Sequence, residues 1–341
     1  MKNVFVGLGD MLISFSPAGY KRFSQAEAMD VSYTGAEANV CVSLATMGYT
    51  TRFVTKLPDN DIARSAVKCM NSFRIDTDSI VYGGDRIGVI YTEKGAAQRP
   101  SKVIYDRKNT AFAEAGEDDF DWESVFADAA WFHFTGITAA LSANTRRICA
   151  RACREAKERG VTVSCDLNYR KKLWSEEEAQ REMSALMKYV DVVIGNEEDA
   201  EKVLGIKAAD SDVTSGRLCT SDYEHTASEI TRIYGIKKVA FTMRESLSAS
   251  DNKWSAMYFD DGKMYTSRKY SIHIVNRVGG GDAFSAGLIY GLMAGMEPQE
   301  VIEYAAAASC LKHSIEYDFN LSTESEVMEL VNGNGSGRVQ R

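Results

Sequence analysis

Short apolar runs alternate with longer amphipathic ones through most of the 341 residues. Val4-Phe5-Val6, Arg52-Phe53-Val54, Trp131-Phe132-His133-Phe134, Val161-Thr162-Val163-Ser164-Cys165, Val192-Val193-Ile194 and Val239-Ala240-Phe241 are compact and rich in β-branched and aromatic residues. Such runs read as strands buried on both faces. Between them the apolar positions adopt a helical period over residues 36–47, 142–159, 175–189 and 221–234, with Gly48, Gly160 and Gly235 as stop signals. Strand–helix alternation of this kind predicts βαβ units: an α/β sandwich with a mostly parallel central sheet and helices on both faces. Ligands on such sheets bind beyond the carboxyl ends of the strands.

Two segments break the rhythm. Residues 12–33 and 80–113 lack a helical period and contain alternating runs, among them Val89-Ile90-Tyr91-Thr92 and Lys102-Val103-Ile104-Tyr105-Asp106. They predict a few antiparallel strands standing off the main sheet, suited to a lid over a site that must exclude water, to contact between copies of the chain, or to both. The remainder forms one domain over residues 1–330, and the glycine-rich end, 331–341, reads as a flexible tail.

A third pattern carries chemistry. The β-rich run from Tyr270 to Val275 enters Gly279-Gly280-Gly281, then Asp282, then an apolar helical pattern reaching about Met296. Glycines let backbone amides approach a ligand, and a helix N-terminus directs its positive end at the same place, which together make an anion site. A carboxylate there repels a resting phosphate. It suits a base that takes a hydroxyl proton while the amides hold a phosphoryl group in transfer. The plainer reading of Asp282 is a helix N-cap.

Composition narrows the field. A formal charge of -8 argues against nucleic-acid and anionic-membrane partners and leaves small molecules as the expected ligands. Seven cysteines without a CxxC pair, and four scattered histidines, suit buried thiols in a reducing, cytoplasmic setting rather than a metal site. No HExxH or Walker P-loop occurs, and Gly7-Leu8-Gly9 lacks the third glycine of a dinucleotide fingerprint. No apolar run reaches the roughly 18 residues of a membrane span.

Other candidate positions follow strands or open helices. Gly35 and Asn39 open the first helix and can meet substrate hydroxyls. Tyr105 and Arg107 share a strand face by period two, and a guanidinium there can clamp a carboxylate with two parallel donors. Asp166-Leu167-Asn168-Tyr169-Arg170 and Asn196-Glu197-Glu198-Asp199 each follow a buried strand. The first suits anion contact through Arg170, the second a hydrated Mg²⁺ or simply a favourable first helical turn. Thr242-Met243-Arg244-Glu245-Ser246 ends another strand and can line a nucleotide site.

Together these residues resemble the ribokinase-like, or PfkB, family of carbohydrate kinases over nearly the whole chain. The family's C-terminal signature, Asp-Thr-x-Gly-Ala-Gly-Asp, stands here as Asn276-Arg277-Val278-Gly279-Gly280-Gly281-Asp282, and its N-terminal one as Gly35-Ala36-Glu37-Ala38-Asn39. Segments such as Ser164-Cys165-Asp166-Leu167-Asn168-Tyr169-Arg170 and Asp318-Phe319-Asn320 are similar to family members acting on 2-keto-3-deoxygluconate. The resemblance implies a ribokinase-like fold and a kinase that uses ATP and Mg²⁺ and admits a monovalent cation. It implies transfer to the 6-hydroxyl of that sugar acid, and homo-oligomers formed through the lid. It makes Asp282 the base and Gly279, Gly280 and Gly281 the anion hole. Gly35, Tyr91, Tyr105, Arg107, Arg170 and Asp318 then match sugar-acid contacts. Asn168, Thr242, Arg244, Glu245, Ser246, Gly279 and Gly281 match nucleotide contacts, and Asn196 and Asp199 an indirect metal position. Two departures stand out: Asn276 replaces the signature's first aspartate, and Asp199 shortens an Asn-x-x-Glu motif by one methylene. Rival readings are a kinase of the same fold acting on a neutral sugar such as fructose or ribose, and a sugar-binding regulator without catalysis.

Overall fold

The computed structural model describes residues 3–207 and 220–335. The first half of the chain runs through β1 (Val4–Leu8), β2 (Leu12–Ser16), β3 (Asp30–Thr34), α1 (Ala36–Thr46), β4 (Thr51–Val54), β5 (Lys56–Leu57), α2 (Asp61–Ser72), β6 (Val81–Tyr82), β7 (Gly88–Glu93), β8 (Lys102–Asp106), α3 (Trp122–Phe126), β9 (Ala129–Thr135), α4 (Gly136–Ala140) and α5 (Ala143–Glu158). It continues through β10 (Thr162–Asp166), α6 (Glu176–Met187), β11 (Val192–Gly195), α7 (Glu197–Leu204), α8 (Thr220–Tyr234), β12 (Lys238–Ser246), β13 (Asp251–Asp260), β14 (Lys263–Thr266), β15 (Tyr270–His273), α9 (Gly280–Met293), α10 (Pro298–Lys312) and α11 (Glu324–Val331). Of the expected tail, residues 336–341 lie outside the described residues.

Six strands form a parallel sheet in the order β12-β11-β10-β9-β1-β4. β13 pairs antiparallel with β12, and β14 and β15 pair with β13. The apolar runs do not alternate with polar residues because both faces are covered. Val193, Val239 and Phe241 enter one core with α3, α5, α6 and α8, while Val192, Ile194 and Ala240 enter the other with α1, α9 and α10. The glycine stops hold: Gly48, Gly160 and Gly235 adopt positive φ after α1, α5 and α8. At the other end of α5 the Ser142 hydroxyl accepts the Thr145 amide proton at 3.1 Å. The pattern does not expose α10, because Val301, Ile302 and Tyr304–Ser309 are buried and its outward polar residues, Gln299, Glu300 and Glu303, are confined to its start, too few to mark a period.

The irregular segments form a separate four-stranded sheet, ordered β3-β2-β7-β8. It is not wholly antiparallel as expected. β2–β3 and β7–β8 are antiparallel, but the central pair is parallel, with Leu12 opposite Gly88 and Phe15 opposite Tyr91. A hairpin sequence pattern does not reveal this, because residues 35–87 cross the body before β7 returns alongside β2.

β1 lies between β4 and β9, reached by connections running in opposite directions along the sheet. This is a topological switch point, where loops diverge and leave a crevice at the carboxyl ends. The small sheet stands over it.

Candidate active site

A cleft of about 930 Å³ opens there, bounded by the carboxyl ends of the parallel strands, the N-termini of α1 and α9, and one face of the small sheet. On its floor the three consecutive glycines serve three different purposes. Gly279 has φ +82°, and a Cβ there would stand 2.0 Å from the Asp318 carbonyl oxygen. Only glycine permits that conformation together with that crossing. Gly280 faces away from the cleft: a Cβ would stand 2.6 Å from His313 Cε1, and its carbonyl accepts the Ser309 hydroxyl at 2.7 Å. On its Cα side Gly280 thus serves packing, while its amide, 3.4 Å from the Arg277 carbonyl, stays with the helix end. A Cβ on Gly281 would meet nothing within 4 Å, so this glycine leaves room on the cleft side. The first-turn amides of α9 have no intrahelical acceptors and point out of the helix end.

Asp282 follows in that turn, half-buried, and accepts the Asn39 side-chain amide at 2.6 Å. Burial raises its carboxyl to about 7; the Asn39 hydrogen bond opposes this, and the negative charges of Glu37 and Asp318 add to it. Asn39 is buried beside the Thr34 hydroxyl, 3.3 Å away. Gly35 lets α1 start against β1's exit, because a Cβ there would stand 2.2 Å from the Asp10 carbonyl oxygen.

One wall of the cleft is made by the small sheet. Ile90 and Tyr105 are register partners and both line it. The Arg107 guanidinium lies 4.1 Å from the centre of the Tyr105 ring, with its Nε buried and without a partner among the described residues. Tyr91 is corrected: one residue on from Ile90, it takes the opposite face, where it stacks on Phe15 at 5.7 Å. Asp318 lines the cleft as expected, buried and with Oδ2 unpartnered among the described residues; burial raises its carboxyl.

On the other side lie Asn168, Arg170, Thr242 and Arg244. Asn168 holds a left-handed backbone at φ +37° directly after β10, and Arg170 donates to the Tyr169 carbonyl at 3.0 Å. Glu245 and Ser246 do not line the cleft. Strand alternation turns Glu245 away from Thr242 and Arg244, and it pairs with Lys269 and Lys253; Ser246 ends β12 opposite Asn252, exposed beyond the cleft.

Asn196 and Asp199 border the same side, bonded to each other's backbone. Asp199 takes the Tyr169 amide on Oδ1 at 2.9 Å and the Asn196 amide on Oδ2 at 3.2 Å, while its own amide donates to Asn196 Oδ1 at 2.9 Å. Burial raises Asp199 to about 6. Asp166 is also pushed up, by burial and then by the charges of Asp199 and Asp282. Among the described residues no three histidine, cysteine or acidic side chains form a metal cage. Two buried carboxylates on one wall of the cleft, Asp166 and Asp199, do fit a hydrated Mg²⁺ held chiefly by water and ligand oxygens. Cys149 and Cys153 are buried free thiols.

The motifs missed three charged groups. Asp10, just beyond β1, is buried with Oδ2 unpartnered among the described residues, and burial raises it to about 6 against the pull of Arg107. Glu37 accepts the Thr135 amide at 2.9 Å and the Thr138 hydroxyl at 2.6 Å, and burial raises it to about 7. Lys312 is completely buried behind Gly279. For Asp10 the carboxyl-end rule, applied to β1, is a usable signal.

Comparison with known proteins gives the family. The profile of the pfkB family carbohydrate kinases matches residues 2–316. The chain is 30% identical over 332 residues to 2-dehydro-3-deoxygalactonokinase of Haloferax volcanii, covering 97% of this chain and 98% of the relative. The crystal structure of 2-dehydro-3-deoxygluconokinase from Thermotoga maritima superposes with a TM-score of 0.94 at 48% identity, covering 98% of this chain and 99% of that one. A PfkB family carbohydrate kinase from Listeria grayi superposes at 0.90 with 34% identity, over 96% and 99%. No helix among the described residues is long and apolar enough to cross a membrane. By sequence and by fold, then, the chain belongs to the pfkB family of carbohydrate kinases, enzymes that transfer a phosphoryl group to an alcohol.

Proposed function

We propose that the chain phosphorylates the 6-hydroxyl of 2-dehydro-3-deoxy-D-gluconate with ATP, using Asp282 as base. The observation that carries this is the position of Asp282: a carboxyl titrating near 7 at the N-terminus of α9, on the floor of a cleft with an arginine-bearing sheet on one side. Arg107, braced on Tyr105, receives the sugar carboxylate. Asp10 and Asp318, each with an unpartnered oxygen, accept sugar hydroxyls. Asp282 removes the proton of the attacking hydroxyl, helped by Asn39, which fixes the carboxylate's orientation. As the O–P bond forms and the bond to the leaving phosphate oxygen breaks, the first-turn amides of α9 and the space beside Gly281 hold the transferring group. Asp166 and Asp199 would hold a hydrated Mg²⁺ through its water, and the ion would supply charge neutralisation to the phosphate oxygens. Arg170 and Arg244 meet the nucleotide phosphates.

The small sheet acts as the lid, and its outer face meets a second copy of the chain. Val31, Phe15, Tyr91 and Ile104 lie in register across the sheet, with Val31 58% and Ile104 53% exposed, and Ile104 also borders the cleft. A row of that composition suits burial in an apolar contact. Sedimentation at micromolar concentration is expected to give a dimer, and Val31→Lys a monomer.

A coupled ADP-release assay tests the reading with 2-dehydro-3-deoxy-gluconate, its galactonate epimer, fructose and ribose. Turnover is expected on the keto acids and not on the neutral sugars. Arg107→Leu raises the keto-acid KM about ten- to a hundredfold, the worth of a lost charge-assisted pair, and leaves the ATP KM unchanged. Preference for fructose or ribose, or an unchanged keto-acid KM in the variant, overturns the assignment.

A further inference from the structure

Lys312, the last residue of α10, is an ammonium sealed inside the protein, with no exposed surface. Its Nζ donates to the Ile315 carbonyl at 3.3 Å and forms no ion pair within 4.0 Å among the described residues. An ammonium carries three donors, so burial leaves most of its hydrogen-bonding capacity unused. The cost shows in its titration: burial pulls it down to about 8, while the charges of Asp318 and Asp282 pull the other way. A methionine of similar length would fill the space without that cost, and the rest of α10's buried face carries no charge.

The position explains the retention of charge. The Lys312 stem lies against the back of the turn that opens α9, with Cε 3.2 Å from the place a Gly279 Cβ would occupy. On one side is the carbonyl of Ile315, and on the other the Gly279–Asp318 crossing. The ammonium thus stands behind the first-turn amides, on the far side of the turn from the cleft. Its field has the same sign as the helix end in front of it.

We propose that Lys312 is a positioning residue that acts as a built-in monovalent cation: it clamps the Gly279 turn to the loop of Ile315 and Asp318 and adds positive potential behind the transferring phosphoryl group. This rests on the kinase reading of the cleft. It touches neither sugar nor nucleotide, so it acts on turnover rather than on binding. With the charge covalently supplied, the enzyme has no need of potassium or ammonium from solution.

The test uses the full chain with the sugar it turns over fastest, in chloride salts of sodium, potassium, ammonium and tetramethylammonium at equal ionic strength. Wild-type turnover is the same in all four. Lys312→Met, which keeps the volume and removes the charge, lowers kcat roughly 10–100-fold while the sugar KM stays within about threefold. Lys312→Ala opens a space lined by the Ile315 carbonyl, and potassium or ammonium restores part of its kcat while tetramethylammonium does not. Thermal unfolding of Lys312→Ala without substrates gives a second readout: potassium or ammonium raises its melting temperature relative to tetramethylammonium, and has no such effect on wild type. That readout stands even if the proposed sugar is wrong, so failure of the substrate assignment is seen separately. Wild-type dependence on potassium, full turnover in Lys312→Met, or equal responses of Lys312→Ala to small and bulky cations would each overturn the proposal.

Discussion

Asp282 combines two properties that pull against each other. A base must be deprotonated to act, yet the cleft holds this carboxyl near 7. The kcat/KM of the wild type is therefore expected to climb as pH rises to about 7 and to level off above it. A flat profile from about pH 5.5 to 8.5 would contradict the base assignment. Asp282→Asn keeps an acceptor for the Asn39 amide, so calorimetry should find sugar and nucleotide affinities within a few-fold of wild type while kcat drops by about 10²–10⁴. This residue is legible in the sequence because its signal is local: three glycines and a carboxylate at a strand-to-helix turn. Tyr91 and Tyr105 look equivalent in the sequence, since alternation separates faces without saying which face meets the body. Glu245 and Ser246 follow the same logic along β12, where alternation and the strand's end decide the outcome. Asp10, Glu37 and Lys312 stay hidden for another reason. A buried charge and a solvated one are the same letter, and only the fold shows which is which.

At the scale of elements, the parallel strands and the glycine-stopped helices were legible because each is written in a continuous window. The parallel pairing of β2 with β7 was not, since it joins residues whose separation in the chain carries no periodic signal. The small sheet's inner face contributes Leu12, Ile90, Tyr105 and the adjoining Arg107 to the cleft, so sugar binding should hold it closed. Hydrogen exchange of residues 85–112 is expected to slow at saturating sugar, and by more than in α5, which packs in the core away from the cleft. Equal exchange with and without bound sugar would identify the sheet as a fixed element and remove the lid from the mechanism.

Across the whole molecule, the cleft gathers Asp10, Glu37, Asp166, Asp199, Asp282 and Asp318, all with carboxyls raised by burial. A carboxyl raised in the folded state keeps its proton there after the unfolded chain has released it. For Asp282, between about pH 4 and 7, the folded state therefore binds more protons, and stability falls as pH rises through that window. Asp282→Asn removes this contribution. Its melting temperature by calorimetry should exceed that of the wild type at pH 8, by at most about 4 kcal/mol in stability, with the gain shrinking toward pH 5. An identical difference at both pH values would show that the carboxyl is not titrating as described. The small sheet carries a different consequence. Its two hairpins are joined along β2 and β7, and residues 35–87, which include α1, β4 and α2, lie between them in the chain. Pairing β2 with β7 therefore closes a long loop, whose entropy must be met before the seam between the hairpins forms. The small sheet is thus expected to be among the later parts to assemble as the chain folds, and a motion of either hairpin alone would break the parallel seam between them.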